Sequence, residues 1–262
     1  MNKIDQKLEE IRVRNRIGFM THVVVGFPTI SKTKSIVRAM DTAGVDFVEL
    51  QIPFSDPIAD GPTIMRASEK SLALGTKVAD AFMIAEELSG EVSGALIFMA
   101  YFNTVFKYGV KKFCEDAARA GIAGLIIPDM PIEEESSEHF LKNCEENNLY
   151  AIRVISPAST ESRLVMNAKF AKGFVYCTAR QGTTGAKNDL DRGVANYLKR
   201  VKKHFDVPIA VGFGISKKQH VEILKNFVDI AVVGSAVIEL IDRTREDRID
   251  REIIKFIRSL SV

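Results

Sequence analysis

The sequence predicts a closed α/β barrel, because eight short apolar runs alternate along the chain with longer segments of helical period. The length agrees with this fold, since 262 residues with 46% hydrophobic residues can bury one such barrel, a domain that commonly reaches about 250 residues. We therefore expect residues 1–262 to form a single (β/α)8 TIM barrel domain with an extra helix at its N-terminus.

The eight predicted strands are short apolar runs in which β-branched residues are frequent. Eight is the number of parallel strands that closes this barrel, and the active site then lies at the carboxyl ends of the strands. The predicted strands are residues 19–25, 46–50, 94–100, 123–127, 149–155, 173–177, 208–211 and 229–233.

Helices are predicted between the strands from apolar residues that share one helical face, as in residues 36–43. Gly44 and Gly121 stand where such helices end just before a strand, a position that favours glycine. Ser216 and Gln219 have the spacing of a capping box, which predicts the start of another helix. Two amphipathic segments are expected to cover the barrel, the first through Ile4, Leu8 and Ile11 and the last through Ile249, Ile253, Phe256 and Leu260.

Charge and composition narrow the classes of protein to consider. Lys and Arg total 36 against 34 Asp and Glu, and the basic residues do not cluster, so nucleic acid is not an expected partner. Cys114, Cys144 and Cys177 lack metal-ligand spacing and are expected to be reduced thiols. The charged N-terminal segment and the lack of an apolar run of about 18 residues predict a cytoplasmic protein that does not enter membranes.

Residue alternation in the second predicted strand turns Glu49 into the barrel. Val48 and Leu50 should meet the surrounding helices, so that Glu49 and Gln51 point inward. A buried charge is costly unless it is paired or protonated, and carboxylates late in barrel strands are typically catalytic. The alternative is an ion pair with a lysine or arginine from another strand, but the position favours a function.

The loop that follows this strand, residues 53–63, contains three prolines and two aspartates. The prolines restrict the backbone, which would aim side chains over the mouth of the barrel. Asp56 or Asp60 is therefore a candidate second carboxylate. Either is equally well explained as a turn or helix-capping aspartate, and Asp60-Gly61-Pro62 has the pattern of a helix start.

Glycines follow the last two predicted strands, in residues 211–216 and 233–236. Many barrels bind phosphate at these two positions, through backbone N–H groups and the N-terminus of a short helix. Gly212, Gly214 and Gly234 therefore predict a phosphate site, although tight turns after the strands are an alternative reason for glycine.

Other types of site are not supported by the sequence. Residues 182–187 lack the spacing of a P-loop, and the lysines do not fall late in strands where a Schiff base would form. The histidines have no metal-ligand spacing, and only His22, late in the first strand, is placed to line the pocket. The remaining possibility is acid–base chemistry by carboxylates on a phosphorylated substrate, without a metal or cofactor.

Residues 49–64, ELQIPFSDPIADGPTI, closely resemble the signature of the tryptophan synthase alpha subunit family. The likeness continues in the same order over nearly the whole chain, in IPDMPIEE at 127–134, GTTGA at 182–186, VGFGIS at 211–216 and GSA at 234–236. The resemblance implies a lyase that cleaves indole-3-glycerol phosphate to indole and glyceraldehyde 3-phosphate by a retro-aldol reaction.

The resemblance also implies roles for individual residues. Glu49 would exchange protons with the substrate, and Asp60 would bind the indole N–H. Thr184 would belong both to the indole pocket, with Tyr176 and Ile155, and to a lid that also carries Arg180. The positions that match the family's phosphate site are Gly185, Phe213, Gly214, Gly234 and Ser235.

Members of this family work with a beta subunit that carries pyridoxal phosphate, in an alpha-beta-beta-alpha complex, and the alpha chain itself needs no cofactor. The positions that match family docking residues are Pro53, Asp56 and Asn103. The sequence departs from the family pattern at His22, Gln51, Met65, Thr104 and Ala179, where an aromatic residue, glycine, glutamine, proline and serine are usual. These departures leave a second hypothesis, a non-catalytic or weakly active subunit that activates a beta partner.

Overall fold

A computed structural model of the chain describes residues 1–178, 192–212 and 214–261. The strands are β1 Gly18–Val24, β2 Phe47–Gln51, β3 Ala95–Met99, β4 Gly124–Ile126, β5 Tyr150–Ile155, β6 Val175–Thr178, β7 Ile209–Gly212 and β8 Ile230–Val233. The helices are α1 Lys3–Val13, α2 Ile30–Thr42, α3 Pro62–Ala73, α4 Val78–Ser89, α5 Phe102–Tyr108, α6 Val110–Arg119, α7 Glu135–Glu138, α8 Phe140–Glu146, α9 Glu161–Ala168, α10 Arg192–Lys202, α11 Lys218–Leu224, α12 Ser235–Arg243 and α13 Ile249–Leu260. Short 3-10 turns cover Ile132–Glu134 and Glu246–Arg248.

The eight strands form a closed parallel barrel in chain order, with β8 paired to β1. All eight predicted strands are present and the fold prediction is confirmed, with strand ends that differ from the predicted ones by no more than two residues. The largest difference lies at β6, where the predicted strand starts at Gly173 and the ladder starts at Val175. Gly173 has φ +70°, which takes it out of extended backbone.

Side chains alternate between two apolar layers, as the pleat of a strand requires. One layer lies between the strands and the helices and includes Val48, Leu50 and Ile52 of the second strand and its end. The other fills the inside of the barrel and includes Phe47 from that strand. Glu49 is therefore turned inward with Phe47, as predicted from alternation alone.

Helix α1 closes the amino-terminal end of the barrel. Ile4 and Ile11 are buried in the inner apolar layer, together with side chains from the strands. The strands leave room for them at glycines, since a Cβ at Gly18 would lie 2.5 Å from Cδ1 of Ile11, and one at Gly124 would lie 2.9 Å from Cδ1 of Ile4. The prediction that this helix covers the barrel bottom is confirmed. Glycine at positions 18 and 124 makes room for its side chains.

The last helix, α13, packs against α2 and α12 and buries its apolar face in the outer layer. Gly44 and Gly121 follow α2 and α6 with φ +90° and +78°, which confirms the predicted helix ends. The predicted capping box at Ser216 is wrong, because α11 begins at Lys218 and the side chain at its N-cap makes no capping hydrogen bond. The N–H of Ser216 instead donates to Nδ1 of His220 at 3.3 Å.

All three cysteines are buried and unbridged, and Sγ of Cys114 lies 3.9 Å from Sγ of Cys144. No helix in the described ranges has both the length and the apolar character needed to cross a bilayer.

The closure by α1 predicts a large effect of Ile4→Ala, since Ile4 is 0% exposed. Removing its side-chain atoms leaves a cavity between α1 and the strands and should lower the free energy of unfolding by about 2–4 kcal/mol. Val13→Ala is the matched control on the same helix, because Val13 is 72% exposed and should cost less than about 0.5 kcal/mol. Urea unfolding of the two variants measures the difference, and equal midpoints would contradict the closure by α1.

Candidate active site

A cavity of about 740 Å³ lies at the carboxyl ends of the strands. The loop after β2 forms one side of it, and the ends of β6, β7 and β8 form the other. Among the residues that line it are Asp60, Ile155, Tyr176, Gly212, Gly214, Gly234 and Ser235. The fold therefore brings the predicted second carboxylate and the predicted phosphate glycines to one cavity.

Glu49 lies deeper in the barrel and is 4% exposed. Residue 22 of β1 is its register partner across the β1–β2 ladder, and Nδ1 of His22 lies 3.3 Å from Oε1 of Glu49. Among the described residues, neither lysine nor arginine makes an ion pair with Glu49, so the partner is a titratable imidazole instead of a fixed cation. Oε2 of Glu49 is buried and has no hydrogen-bond partner in the same residues.

The state of His22 depends on two opposing effects. Burial by itself lowers the pKa of the imidazole, but the charge and hydrogen bonding of Glu49 raise it, and the net pKa is above its ordinary value. Asp60 adds a smaller attraction of the same sign. His22 was predicted only to line the pocket, and the structure shows it in contact with a candidate catalytic group.

Asp60 lies at the end of the loop after β2, one residue before the N-cap of α3. The N-cap is Gly61, with Pro62 in the first helical turn, so the carboxylate of Asp60 does not cap the helix. It accepts instead a hydrogen bond of 2.6 Å from Nε2 of Gln51. Burial raises the pKa of the Asp60 carboxyl, and the hydrogen bond from Gln51 only partly opposes this.

Tyr101, which follows β3, positions this loop and was not among the predicted site residues. Its hydroxyl accepts a hydrogen bond of 3.0 Å from the N–H of Ala59, and its ring stacks on Phe54 at 5.3 Å between centroids. Burial and the nearby charge of Asp60 raise the pKa of the phenol, which keeps it neutral. A sequence signal exists, since Tyr101 continues the inward alternation of β3 beyond its last paired residue.

Tyr176 of β6 stands opposite residue 154 of β5 in the ladder. Val154 and Tyr176 both pack against the inner apolar layer, whereas the side chain of Ile155 belongs to the outer one. Ile155 still borders the cavity, but Val154 is the residue of β5 whose side chain shares the face of Tyr176. A Cβ at Gly212 would lie 3.0 Å from the hydroxyl of Tyr176, so the glycine leaves space for that ring.

The predicted phosphate glycines meet at one side of the cavity. Gly234 is the N-cap of α12 and no side chain caps this helix, so N–H groups of its first turn, beginning with Ser235, remain available to an anion. Gly214 has φ +60°, a backbone conformation that residues other than glycine rarely adopt.

Burial and the charges of Glu49 and Asp60 raise the pKa of Tyr176 well above its usual range, so its hydroxyl is uncharged.

Five predicted positions lie outside the described residues, namely Ala179, Arg180, Thr184, Gly185 and Phe213. The described part of the chain contains no group of three or more histidine, cysteine or acidic side chains placed to hold a metal ion.

On the rim, the positions expected to face a partner differ in exposure. Pro53 is buried, Asp56 and Asn103 are exposed, and the neighbouring apolar side chains of Ile58 and Phe106 are 83% and 58% exposed.

Comparison with known proteins gives one consistent result. The family model described as tryptophan synthase alpha chain matches residues 8–259. A tryptophan synthase alpha chain from Desulfotalea psychrophila is 42% identical over 239 residues, which are 91% of this chain and 93% of that protein. One from Thermoanaerobacter sp. (strain X514) is 39% identical over 261 residues, 99% of this chain and 98% of the relative.

Solved structures agree with the sequence comparison. A chain in a structure of Mycobacterium tuberculosis tryptophan synthase superimposes with a TM-score of 0.89 at 30% identity, covering 100% of this chain and 99% of that one.

The raised pKa of Asp60 predicts how stability depends on pH. A carboxyl whose pKa is raised by folding favours the folded state below its unfolded pKa of about 3.9, and this contribution is lost as pH rises through the folded pKa. Asp60→Asn should therefore gain stability relative to the unmodified chain between pH 4 and pH 7. Urea unfolding of both proteins at the two pH values measures the change.

Asp116→Asn is the control. Hydrogen bonds from Lys112 and Tyr108 lower the pKa of Asp116, so its contribution to stability is nearly complete above its unfolded pKa of about 3.9, and the replacement should cost nearly the same stability at pH 4 and at pH 7. Parallel pH dependence in the two variants would contradict the environment assigned to Asp60.

Proposed function

The chain belongs to the tryptophan synthase alpha chain family, and from this membership we propose that it cleaves indole-3-glycerol phosphate to indole and glyceraldehyde 3-phosphate. This cleavage is the role of the family, whose members are carbon–carbon lyases. The observation that carries the proposal for this chain is the meeting of two carboxylates, Glu49 and Asp60, with a helix N-terminus free of side-chain capping, at one cavity or just below it.

The reaction needs two proton transfers and a place for positive charge. A proton added to C3 of the indole puts positive charge on the ring nitrogen. Loss of the side-chain hydroxyl proton then forms the aldehyde as the bond to C3 breaks, and the electron pair of that bond returns to the ring. One proton is given and one is taken, so a single acid–base group can serve both steps.

Glu49 is the group that we assign to both proton transfers. Its Oε1 contacts His22, while Oε2 is the oxygen without a partner among the described residues, and this oxygen is suited to reach the substrate. Burial keeps competing water away from the proton that is exchanged.

Asp60 is assigned to the ring nitrogen. A carboxylate there accepts the indole N–H and stabilises the positive charge that forms after protonation at C3. Gln51 donates to one of its oxygens, Oδ2, so the other oxygen is left to accept from the ring. The aromatic part of the pocket is assigned to Tyr176, Val154 and Ile155, with Thr184 completing it.

The phosphate is assigned to the opposite side of the cavity. The N-terminus of α12 at Gly234 and Ser235 offers N–H groups and the positive end of the helix dipole, and Gly214 allows close approach of the backbone. Gly185 and Phe213 complete this site in the proposal. Arg180 and Thr184 belong to the proposed lid, whose closure would exclude water from the proton transfers.

A beta subunit is the proposed partner, because similar chains occur in structures of tryptophan synthase. In the proposal two alpha and two beta chains form the complex in the cytoplasm, and pyridoxal phosphate is bound by the beta chain alone. The docking surface is the rim formed by the loop after β2 and helix α5, where Asp56, Ile58, Asn103 and Phe106 are exposed.

Glu49→Gln should lower the rate of indole formation from indole-3-glycerol phosphate by about 100-fold or more, because an amide cannot exchange the proton. Glu69→Gln, an exposed position on α3, is the matched control and should keep the full rate. An unchanged rate in Glu49→Gln would contradict the assignment. An inactive unmodified chain that still stimulates a beta subunit would instead support the alternative of a regulatory subunit.

Ile58→Asp should weaken binding of a beta subunit by about 10-fold or more, since it places a charge where an apolar side chain would be buried. Met83→Asp on α4 makes the same change at a side chain that is 49% exposed and lies outside the proposed surface. Titration calorimetry compares the two variants. Equal affinities would contradict the proposed docking surface.

A further inference from the structure

The two carboxylates of the site are joined by side chains that the proposed reaction does not use. His22 contacts Glu49, and Gln51 donates to Asp60. Nε2 of His22 and Oε1 of Gln51 are both buried, and neither has a hydrogen-bond partner among the described residues. The two side chains lie on the same inner face of adjacent strands, because His22 pairs with Glu49 and Gln51 stands two residues beyond Glu49.

We propose that His22 and Gln51 form a hydrogen-bonded relay between Glu49 and Asp60, and that this relay holds one proton between Nδ1 of His22 and Oε1 of Glu49. His22 and Gln51 are thus positioning residues that act on the substrate through the two carboxylates. The relay itself depends only on these four side chains, whereas its effect on the reaction rests on the proposed lyase function.

The direction of each hydrogen bond follows from the donors and acceptors available. A carboxylate only accepts, so the atom of Gln51 that contacts Asp60 is its NH2 group, and its carbonyl oxygen points elsewhere. That oxygen needs a donor, and Nε2 of His22 supplies one only if it carries a proton. Gln51 therefore selects the form of His22 with a proton on Nε2.

The form of His22 then determines what lies between it and Glu49. With Nε2 protonated, Nδ1 carries a second proton and donates to a carboxylate, accepts from a protonated carboxyl, or faces a carboxylate with no proton between them. In the first two states one proton lies between Nδ1 and Oε1 of Glu49, and in the third the pair has lost it. The pair carries the same charge in the first two states, so the proton moves between the two atoms without a change in net charge inside the barrel.

The surroundings of His22 favour retention of that proton. Two carboxylates, Glu49 on β2 and Asp60 on the loop after it, raise the pKa of the imidazole. The titratable phenols nearest these carboxylates are Tyr176 on β6 and Tyr101 after β3, and both have raised pKa values and stay neutral. From β8 and its end, Val232 and Gly234 bring no titratable side chain.

The relay keeps a proton on the pair for delivery to the substrate. The two carboxylates near His22 raise the pKa of its imidazole above the ordinary value, so the pair retains this proton to higher pH than a free imidazole would. If His22 and Gln51 only filled space, the tautomer and the titration of His22 would not respond to the variants described below.

Nitrogen-15 NMR of the whole chain labelled at histidine tests the relay directly. Loss of signals in His22→Phe assigns the imidazole, and His139, His204 and His220 serve as internal references. The expected result is a proton on Nε2 at all pH values and loss of the Nδ1 proton with a midpoint above 6.5. A midpoint at or below 6.5, or a tautomer protonated on Nδ1, would overturn the proposal.

Two variants test the individual bonds. Glu49→Gln should lower the midpoint of His22 by about one pH unit or more, because a carboxylate partner is lost. Gln51→Met keeps the length of the side chain but removes the amide, so a mixture of the two tautomers should appear. A spectrum of His22 that does not change in either variant would show that the residues only fill space.

The pH dependence of the reaction provides the final comparison. With indole-3-glycerol phosphate as substrate, His22→Phe should move the high-pH limb of kcat to lower pH, while KM changes little. An unmoved limb in a folded variant would contradict the role of the relay in the reaction. If the unmodified chain forms no indole, the proposed function fails, and the NMR result still decides whether the relay exists.

Discussion

The carboxylate of Glu49 is held inside a closed barrel, and the contact with His22 is what makes this position tolerable. A charge taken out of water must be compensated, and compensation by an imidazole differs from compensation by lysine or arginine, because an imidazole can give its proton back. The ladder between β1 and β2 sets the two residues opposite each other. The pairing of these two strands therefore fixes the chemistry of the pair as well as its geometry.

The two sides of the cavity present different kinds of chemical group. On the side of β2, side chains provide the chemistry, and buried acids and phenols have pKa values that depart from their usual ranges. On the side of β7 and β8, Gly212, Gly214 and Gly234 line the cavity and leave the backbone open to it, and no side chain caps α12. A phosphorylated aromatic substrate has the matching polarity, with its reacting carbon between a ring and an anionic group.

Much of the fold was predictable, because apolar runs and the pleat of a strand are local properties. Alternation alone turned Glu49 inward, and glycine positions located the ends of helices and the loops after the last two strands. The partner of Glu49 was not predictable as His22, since that contact depends on the register between β1 and β2. Ile155 was named from the resemblance alone, and the ladder between β5 and β6 adds Val154 as the residue of β5 that shares the face of Tyr176.

Helix α1 affects how molecules reach and leave the cavity. Its Ile4 and Ile11 side chains fill the amino-terminal end of the barrel, so substrate and products pass through the rim at the carboxyl ends of the strands. In the proposed reaction, one substrate and two products of very different polarity then pass through the same opening, so the order of product release matters. A beta subunit docked on that rim would contact the apolar product, indole, as it leaves. The closed amino-terminal end of the barrel thereby directs indole toward the proposed partner.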